Sequence, residues 1–228
     1  MKQIKIWHIA AFFFAVCCVL NLCGCLTEGN LERCVKPALL PLLCLATVAF
    51  LAEKKRLNAK GACLLVLAQL FGCAGDTALL GEGFVFFAMG IALFLGGHIF
   101  YICLFGSRSW KGLKAWQWIL AMVLCVCAVA ALIKAIGING ALLAPMGIYG
   151  FTLTLLVFST LAGALRFGSL TWWLLAAGAV LFMFSASLIA IGTFKDLNPI
   201  MRGFGVMLTY LLAQTLLAIG SVRLIQGK

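Results

Sequence analysis

The hydrophobic residues of this chain fall into eight long runs that are separated by short polar or glycine-containing connections. A helix needs about 20 apolar residues to cross the hydrocarbon layer of a bilayer. A segment inside that layer must also satisfy its backbone hydrogen bonds internally. Each run therefore predicts a transmembrane helix, and the predicted spans are approximately residues 6–25, 35–52, 60–80, 84–105, 115–133, 141–165, 170–194 and 203–225.

The composition agrees with this pattern. Of 228 residues, 65% are hydrophobic and 10% are charged, and the mean hydropathy is +1.17. Soluble domains carry about 25% charged residues, so an ordinary soluble protein is excluded. We predict an all-α fold, a polytopic bundle of eight transmembrane helices that forms a single domain over residues 1–228.

The charge distribution predicts the topology. The net charge is +11, but the basic residues lie in short loops between apolar runs, where they set topology and contact anionic lipid headgroups rather than nucleic acid. With a cytoplasmic N-terminus, 12 of the 17 Lys and Arg residues, Lys2 and Lys228 among them, fall on the cytoplasmic side. We therefore expect both termini in the cytoplasm, in a bacterial plasma membrane or the endoplasmic reticulum.

The 11 cysteines lie mostly within apolar runs and lack the spacing of a zinc or redox site, so we interpret them as small packing residues. The first run ends in a Gly24-Cys25 pair that has the outline of a lipoprotein signal. It is long enough to span the bilayer, and we interpret it as an uncleaved first helix. A weak similarity at an offset of about 110 residues is compatible with a parallel repeat of four plus four spans.

Asp76 is the aspartate that lies inside an apolar run. Acidic residues within a membrane are costly and usually face a cavity or a partner. Lys36 and Glu82 lie near the same end of the bundle, which leaves two interpretations. In the first, Asp76 has a structural role, in which it either pairs with Lys36 and joins two helices or caps its helix and reaches water. In the second, it is a functional carboxylate.

Five further polar residues on three predicted helices suggest a pocket that opens toward the outer side. His98 and Tyr101 share one helix face, as do Tyr210 and Gln214, and Tyr149 lies on the sixth span. By helical rise, His98 lies about 21 Å from its outer end, deeper than Asp76. The sequence lacks the motifs of serine and zinc hydrolases.

Several segments in order resemble the YhhN-type, or lysoplasmalogenase, family. They are Val35–Ala46, Gly75–Leu80, Gly97–Tyr101, Tyr149 after a helical proline, Ser185–Ala190 and Thr209–Gln214. The resemblance implies an eight-helix enzyme that hydrolyses the vinyl ether bond of lysoplasmalogens. The products are a fatty aldehyde and glycerophosphoethanolamine or glycerophosphocholine. Such acid catalysis suits two carboxylates with opposed roles.

The sequence departs from the family pattern at Ala186, where the resemblance implies an aspartate. Asp76 and position 186 are then the catalytic pair, and this chain, with Ala186, is expected to have little or no hydrolytic activity. Either an introduced substitution or a natural divergence into a lysolipid-binding relative accounts for Ala186. The intact flanking residues favour the first.

The expected substrate-binding residues are Lys36, His98, Tyr101, Tyr149, Tyr210 and Gln214. No metal or organic cofactor is indicated, and the expected partners are a lysophospholipid and the bilayer. The 24 glycines permit close helix contacts and are compatible with a homodimer. The alternatives are a lipid or small-molecule transporter and a non-catalytic lysolipid-binding protein.

Overall fold

The computed structural model describes residues 5–27 and 30–227, the side chain of residue 141 excepted, so Lys2 and Lys228 lie outside the described residues. Within these ranges, eight helices are long and apolar enough to cross a membrane, which confirms the all-α, eight-span prediction. They are α1 (Ile6–Gly24), α2 (Leu31–Glu53), α3 (Lys60–Ala78), α4 (Phe84–Ser109), α5 (Ala115–Ile136), α6 (Leu143–Phe167), α7 (Leu170–Phe194) and α8 (Val206–Ile225).

Two predicted boundaries were wrong by four residues. Helix α2 begins at Leu31 rather than residue 35, and it contains Pro37 and Pro41 in its interior. A proline there removes one backbone hydrogen bond without ending the helix in this context. Helix α4 continues to Ser109 because Ser107 and Ser109 donate their hydroxyl hydrogens to carbonyls of their own helix instead of breaking it.

The entry to α8 also differs from the prediction. The predicted eighth span begins at residue 203, whereas a π-helical turn, Met201–Gly205, comes first and leads directly into α8, which begins at Val206. Such wide turns are often found at functional sites.

Helices that follow one another in the chain pack against each other, except for α4 and α5, and the order of pairing is similar in the two halves. Helix α3 packs on α4 as α7 packs on α8, and α4 contacts α6 as α8 contacts α2. Helices α1 and α5 lie at the periphery, on α2 and α6 respectively. The pairing is compatible with the predicted repeat, which stays a prediction.

Glycines allow the central helices to approach closely, as is common in membrane bundles. A Cβ added to Gly75 of α3 would lie 3.0 Å from the Phe94 ring of α4. A Cβ added to Gly178 of α7 would lie 3.1 Å from the backbone oxygen of Ala213 in α8. Because these glycines have no side chains, the helices around the centre of the bundle can pack at short distances.

Candidate functional site

A cavity of about 60 Å³ lies inside the bundle, near the end at which α2, α4, α6 and α8 begin. Residues of α2, α3, α4, α6, α7 and α8 line it. This volume accommodates a few water molecules. Most of the lining side chains are apolar, and the polar ones are Lys36, Asp76, Tyr149, Ser185 and Tyr210.

Asp76 lies in the last turn of α3 and is only 4% exposed. The Tyr210 hydroxyl donates a hydrogen bond of 2.7 Å to its Oδ2 atom. Gln214, one turn further along α8, donates from Nε2 to the Tyr210 oxygen over 3.3 Å. Because a buried carboxylate needs hydrogen-bond donors, this chain of three side chains fixes the orientation of Asp76 and joins α3 to α8.

Ala186 of α7 lines the same cavity as Asp76. Phe182 and Ala190, one turn before and one turn after it, also line the cavity, so one face of α7 forms this wall. Among the described lining residues Asp76 is the only carboxylate. The structure thus brings the two positions of the expected catalytic pair to a single cavity, with a methyl group where the resemblance implies the second acid.

Lys36 contributes a half-buried ammonium group to the cavity. The sequence left open an ion pair between Lys36 and Asp76, but no ion pair among the described residues joins these two side chains within 4.0 Å. Glu82 does not line the cavity. Its side chain is exposed, and its Oε1 atom lies 3.5 Å from Nη2 of Arg33. Lys36 is therefore a positive charge that shares the cavity with Asp76 without forming a close ion pair with it among the described residues.

Aromatic rings surround the Asp76–Tyr210 pair. Tyr210 packs edge-to-face against Phe182 at 5.6 Å and against Phe94 at 6.2 Å between ring centroids. Sequence reasoning missed both phenylalanines. Helical spacing offered a signal, since Phe94 precedes His98 by one turn and Phe182 precedes Ala186 by one turn.

Three expected pocket residues, His98, Tyr101 and Gln214, do not line the cavity. His98 is 2% exposed and lies behind the wall, with its ring 4.6 Å from Phe182 and 5.5 Å from Tyr149. Tyr101 stacks on Phe105 at 5.6 Å. Both ring nitrogens of His98 and the Tyr101 hydroxyl lack a hydrogen-bond partner in the described structure. These residues surround the site rather than form its surface.

The π-helical turn positions the α8 side of the cavity. The Ser185 hydroxyl of α7 donates a hydrogen bond of 2.9 Å to the backbone oxygen of Val206, the first residue after that turn. Val206 and Met207 both line the cavity. Ser185 is therefore occupied in joining α7 to α8 and is not available as a nucleophile in this arrangement.

The polar groups at the cavity are one carboxylate, one ammonium group, two phenols and the Ser185 hydroxyl, and the first four support proton transfer and hydrogen bonding. Among the described residues, no group of three or more His, Cys, Asp or Glu side chains is arranged to hold a metal ion.

Fold and site together define a class of protein, an eight-span membrane protein with a buried carboxylate in a small cavity near one end of its bundle. The sequence model of the YhhN family matches residues 31–221, and the chain belongs to the YhhN family. The match begins at the first residue of α2 and includes every residue that lines the cavity, whereas α1 precedes it. No solved structure matches this chain.

Proposed function

We propose that this chain carries the site of a lysoplasmalogenase, a membrane-embedded hydrolase of the vinyl ether bond of lysoplasmalogens. The observation that carries the proposal is the location of Asp76 and position 186 on one cavity. The products are a fatty aldehyde and glycerophosphoethanolamine or glycerophosphocholine. With Ala186 in place, the chain retains the architecture of the site and lacks most of its activity.

The chemistry requires one acid and one carboxylate. A carboxylic acid donates its proton to the alkenyl carbon that is not bonded to oxygen, and the adjacent carbon becomes an oxocarbenium ion. A second carboxylate stabilises that cation and accepts a proton from the water that adds to it. The hydroxyl of the resulting hemiacetal then loses its proton and becomes the aldehyde carbonyl, while the bond to the glycerol oxygen breaks and that oxygen takes a proton.

The described residues at the cavity supply one of the two carboxyl groups that this chemistry requires. Asp76 is the carboxylate that is present, and the Tyr210 hydroxyl holds it in place. Lys36 is the cation at the cavity, and we assign to it the phosphate of the substrate. Tyr149 lines the cavity and orients substrate or water, while His98, Tyr101 and Gln214 position the residues that form the wall.

A second function is favoured by Ala186 itself. Because Asp76 is the lone carboxylate among the described lining residues, a lysolipid that places its vinyl ether at this cavity would be bound without turnover. The absence of turnover would then be a property of this protein, and a restored acid at position 186 would leave the bound lipid intact.

Aldehyde release from a lysoplasmalogen separates these functions. We expect Ala186→Asp to release aldehyde at a rate about 10²–10⁴ times that of the chain as written, because one acid–base group commonly contributes that factor. Ala190→Asp, one turn away on the same cavity wall, is the matched control and should leave the rate low. No aldehyde from Ala186→Asp that is folded and binds the lipid would refute hydrolysis and support the binding function.

A further inference from the structure

A second cavity, of about 190 Å³, lies between α5, α6 and α7 beside the Asp76 cavity. Met146, Tyr149, Ala186 and Ala190 line both cavities. The two spaces therefore share a wall, and two of the four side chains in that wall are single methyl groups. Ala186, the position of the missing acid, is at this junction.

The lining of the second cavity suits hydrocarbon. It includes Val129, Ile133, Leu153 and Met183. Three hydroxyls also line it, that of Tyr149 in the shared wall and two others that are used within their own helices. Thr154 donates to the backbone oxygen of Gly150 over 3.0 Å, and Ser187 donates to that of Met183 over 2.8 Å. Apolar cavities of this kind bind hydrocarbon ligands rather than water.

The cavity is elongated along the helices. Its lining residues on α5 extend from Ala128 to Ile136, which corresponds to roughly 12 Å at 1.5 Å per residue. On its outer side α5 presents exposed apolar residues such as Ile119 and Val126, which are 66% and 56% exposed. Helix α5 therefore stands between the cavity and the lipid.

We propose that the cavity between α5, α6 and α7 is the binding site for the first part of the lysolipid's hydrocarbon chain, the part next to the glycerol. This inference rests on the proposed function. The vinyl ether is the first group of that chain after the glycerol. A chain in this cavity therefore places the vinyl ether at the shared wall, between Asp76 and position 186, and directs the phosphate toward Lys36.

A larger groove, of about 730 Å³, lies between α1, α2 and α8. Its lining includes Trp7, Phe50 and Arg223, and it shares no lining residue with the Asp76 cavity. A chain bound there would leave the vinyl ether away from Asp76. The groove is therefore the competing location in the experiment.

Photolabelling locates the chain without any need for turnover. The probe is an alkyl-ether lysophosphatidylcholine, which lacks the vinyl bond, with a diazirine in the half of its hexadecyl chain that is next to the glycerol. With the protein in nanodiscs, we expect the probe to label residues of α5, α6 and α7 that line the cavity. Excess unlabelled lipid should suppress this labelling. Suppressible labelling in the α1–α2–α8 groove, or none at all, would overturn the proposal.

A cavity-filling variant adds a second readout. In Gly150→Leu the new side chain starts 3.4 Å from Val129 Cγ1 and occupies the cavity. Hexadecyl lysolipid should then bind about tenfold or more weakly, with little change for glycerophosphocholine, which has no hydrocarbon chain. Gly147→Leu, on the same helix but outside both linings, is the matched control. Equal losses in the two variants would contradict a chain site at Gly150.

The two proposals fail separately. If Ala186→Asp releases aldehyde while the probe labels the α1–α2–α8 groove, the chain site is refuted and hydrolysis is retained. If the probe labels the α5–α7 cavity and Ala186→Asp releases no aldehyde, hydrolysis is refuted and the chain site is retained.

Discussion

The Asp76 carboxylate is held by a single phenol, which is itself held by an amide. Tyr210 donates to Asp76, and Gln214 donates to Tyr210. Removing one donor from a buried carboxylate leaves an acceptor without its partner, which commonly costs 1–3 kcal/mol. The stability of the bundle and the orientation of its acid therefore depend on the same hydroxyl group.

Tyr210→Phe tests this dependence. We expect the free energy of unfolding to fall by about 1–3 kcal/mol, because the ring is kept and only the hydrogen bond to Asp76 is lost. Thermal unfolding in detergent, followed by circular dichroism, measures the change. Tyr149→Phe is the control, since the Tyr149 hydroxyl makes no hydrogen bond to the described residues and lines the same cavity. A loss of stability as large in Tyr149→Phe would argue against a special role for the Tyr210 bond.

At the level of single residues, the sequence predicted the site unevenly. Asp76 and position 186 could be chosen because an acid in an apolar run and a family motif each mark one residue. His98 was expected on the pocket surface, but it lies behind Phe182 and Tyr149. Helical spacing assigns residues to a face of their own helix and does not give the rotation of that helix against its neighbours.

Among the helices, contacts between glycine and aromatic rings set the distances. A Cβ on Gly163 of α6 would overlap the ring of Trp172 in α7, and that ring is stacked against Phe167 at 5.4 Å. The tryptophan therefore has little freedom to move. The spacing of α6 and α7, which carry Tyr149 and Ala186, depends on this contact.

Gly163→Ala should destabilise the bundle by about 1–3 kcal/mol, as expected for overpacking. Gly147→Ala on the same helix is the control, because its Cβ would lie at an ordinary 3.7 Å from Ile133 Cδ1. The midpoint of thermal unfolding should fall for the first variant and stay the same or rise for the second. A fall of similar size for both would show that helix flexibility, rather than the Trp172 contact, is responsible.

The helix boundaries show what the hydrophobic pattern can and cannot define. It located all eight helices, because a span of apolar residues is a strong signal. It missed the first turn of α2, which contains Glu32 and Arg33, since a helix continues beyond the apolar layer without a change in hydropathy at the same residue. The π-helical turn before α8 has no pattern in hydropathy and could not be predicted.

On the scale of the whole molecule, the two ends of the bundle differ. At the end opposite the Asp76 cavity, Lys5 and Trp7 of the N-terminal segment both contact Glu53 at the end of α2. Trp7 and Gln226 line the same groove, so α1 begins and α8 ends at the same face of the bundle. Arg108 donates to the backbone oxygen of Leu224 on this face. We propose that this basic face is cytoplasmic.

Reporter fusions test the orientation. A fluorescent protein fused after residue 228 should be fluorescent in bacterial cells, and alkaline phosphatase fused after Asn198, between α7 and α8, should be active. Both results follow if the Lys- and Arg-rich face remains in the cytoplasm. A non-fluorescent fusion after residue 228 together with an inactive phosphatase after Asn198 would indicate the opposite topology. The Asp76 cavity would then lie near the cytoplasmic surface.

The pairing of Asp76 with position 186 is tested most directly by measuring the effect of Ala186→Asp with and without the Asp76 carboxylate. The measurement is the rate of aldehyde release from a lysoplasmalogen by four proteins. These are the unchanged chain, Ala186→Asp, Asp76→Asn and the double variant. If the two groups act together, we expect Ala186→Asp to raise the rate by about 10²–10⁴ only when Asp76 is present. An equal gain in the Asp76→Asn background, or no gain in either, would contradict a catalytic pair across this cavity.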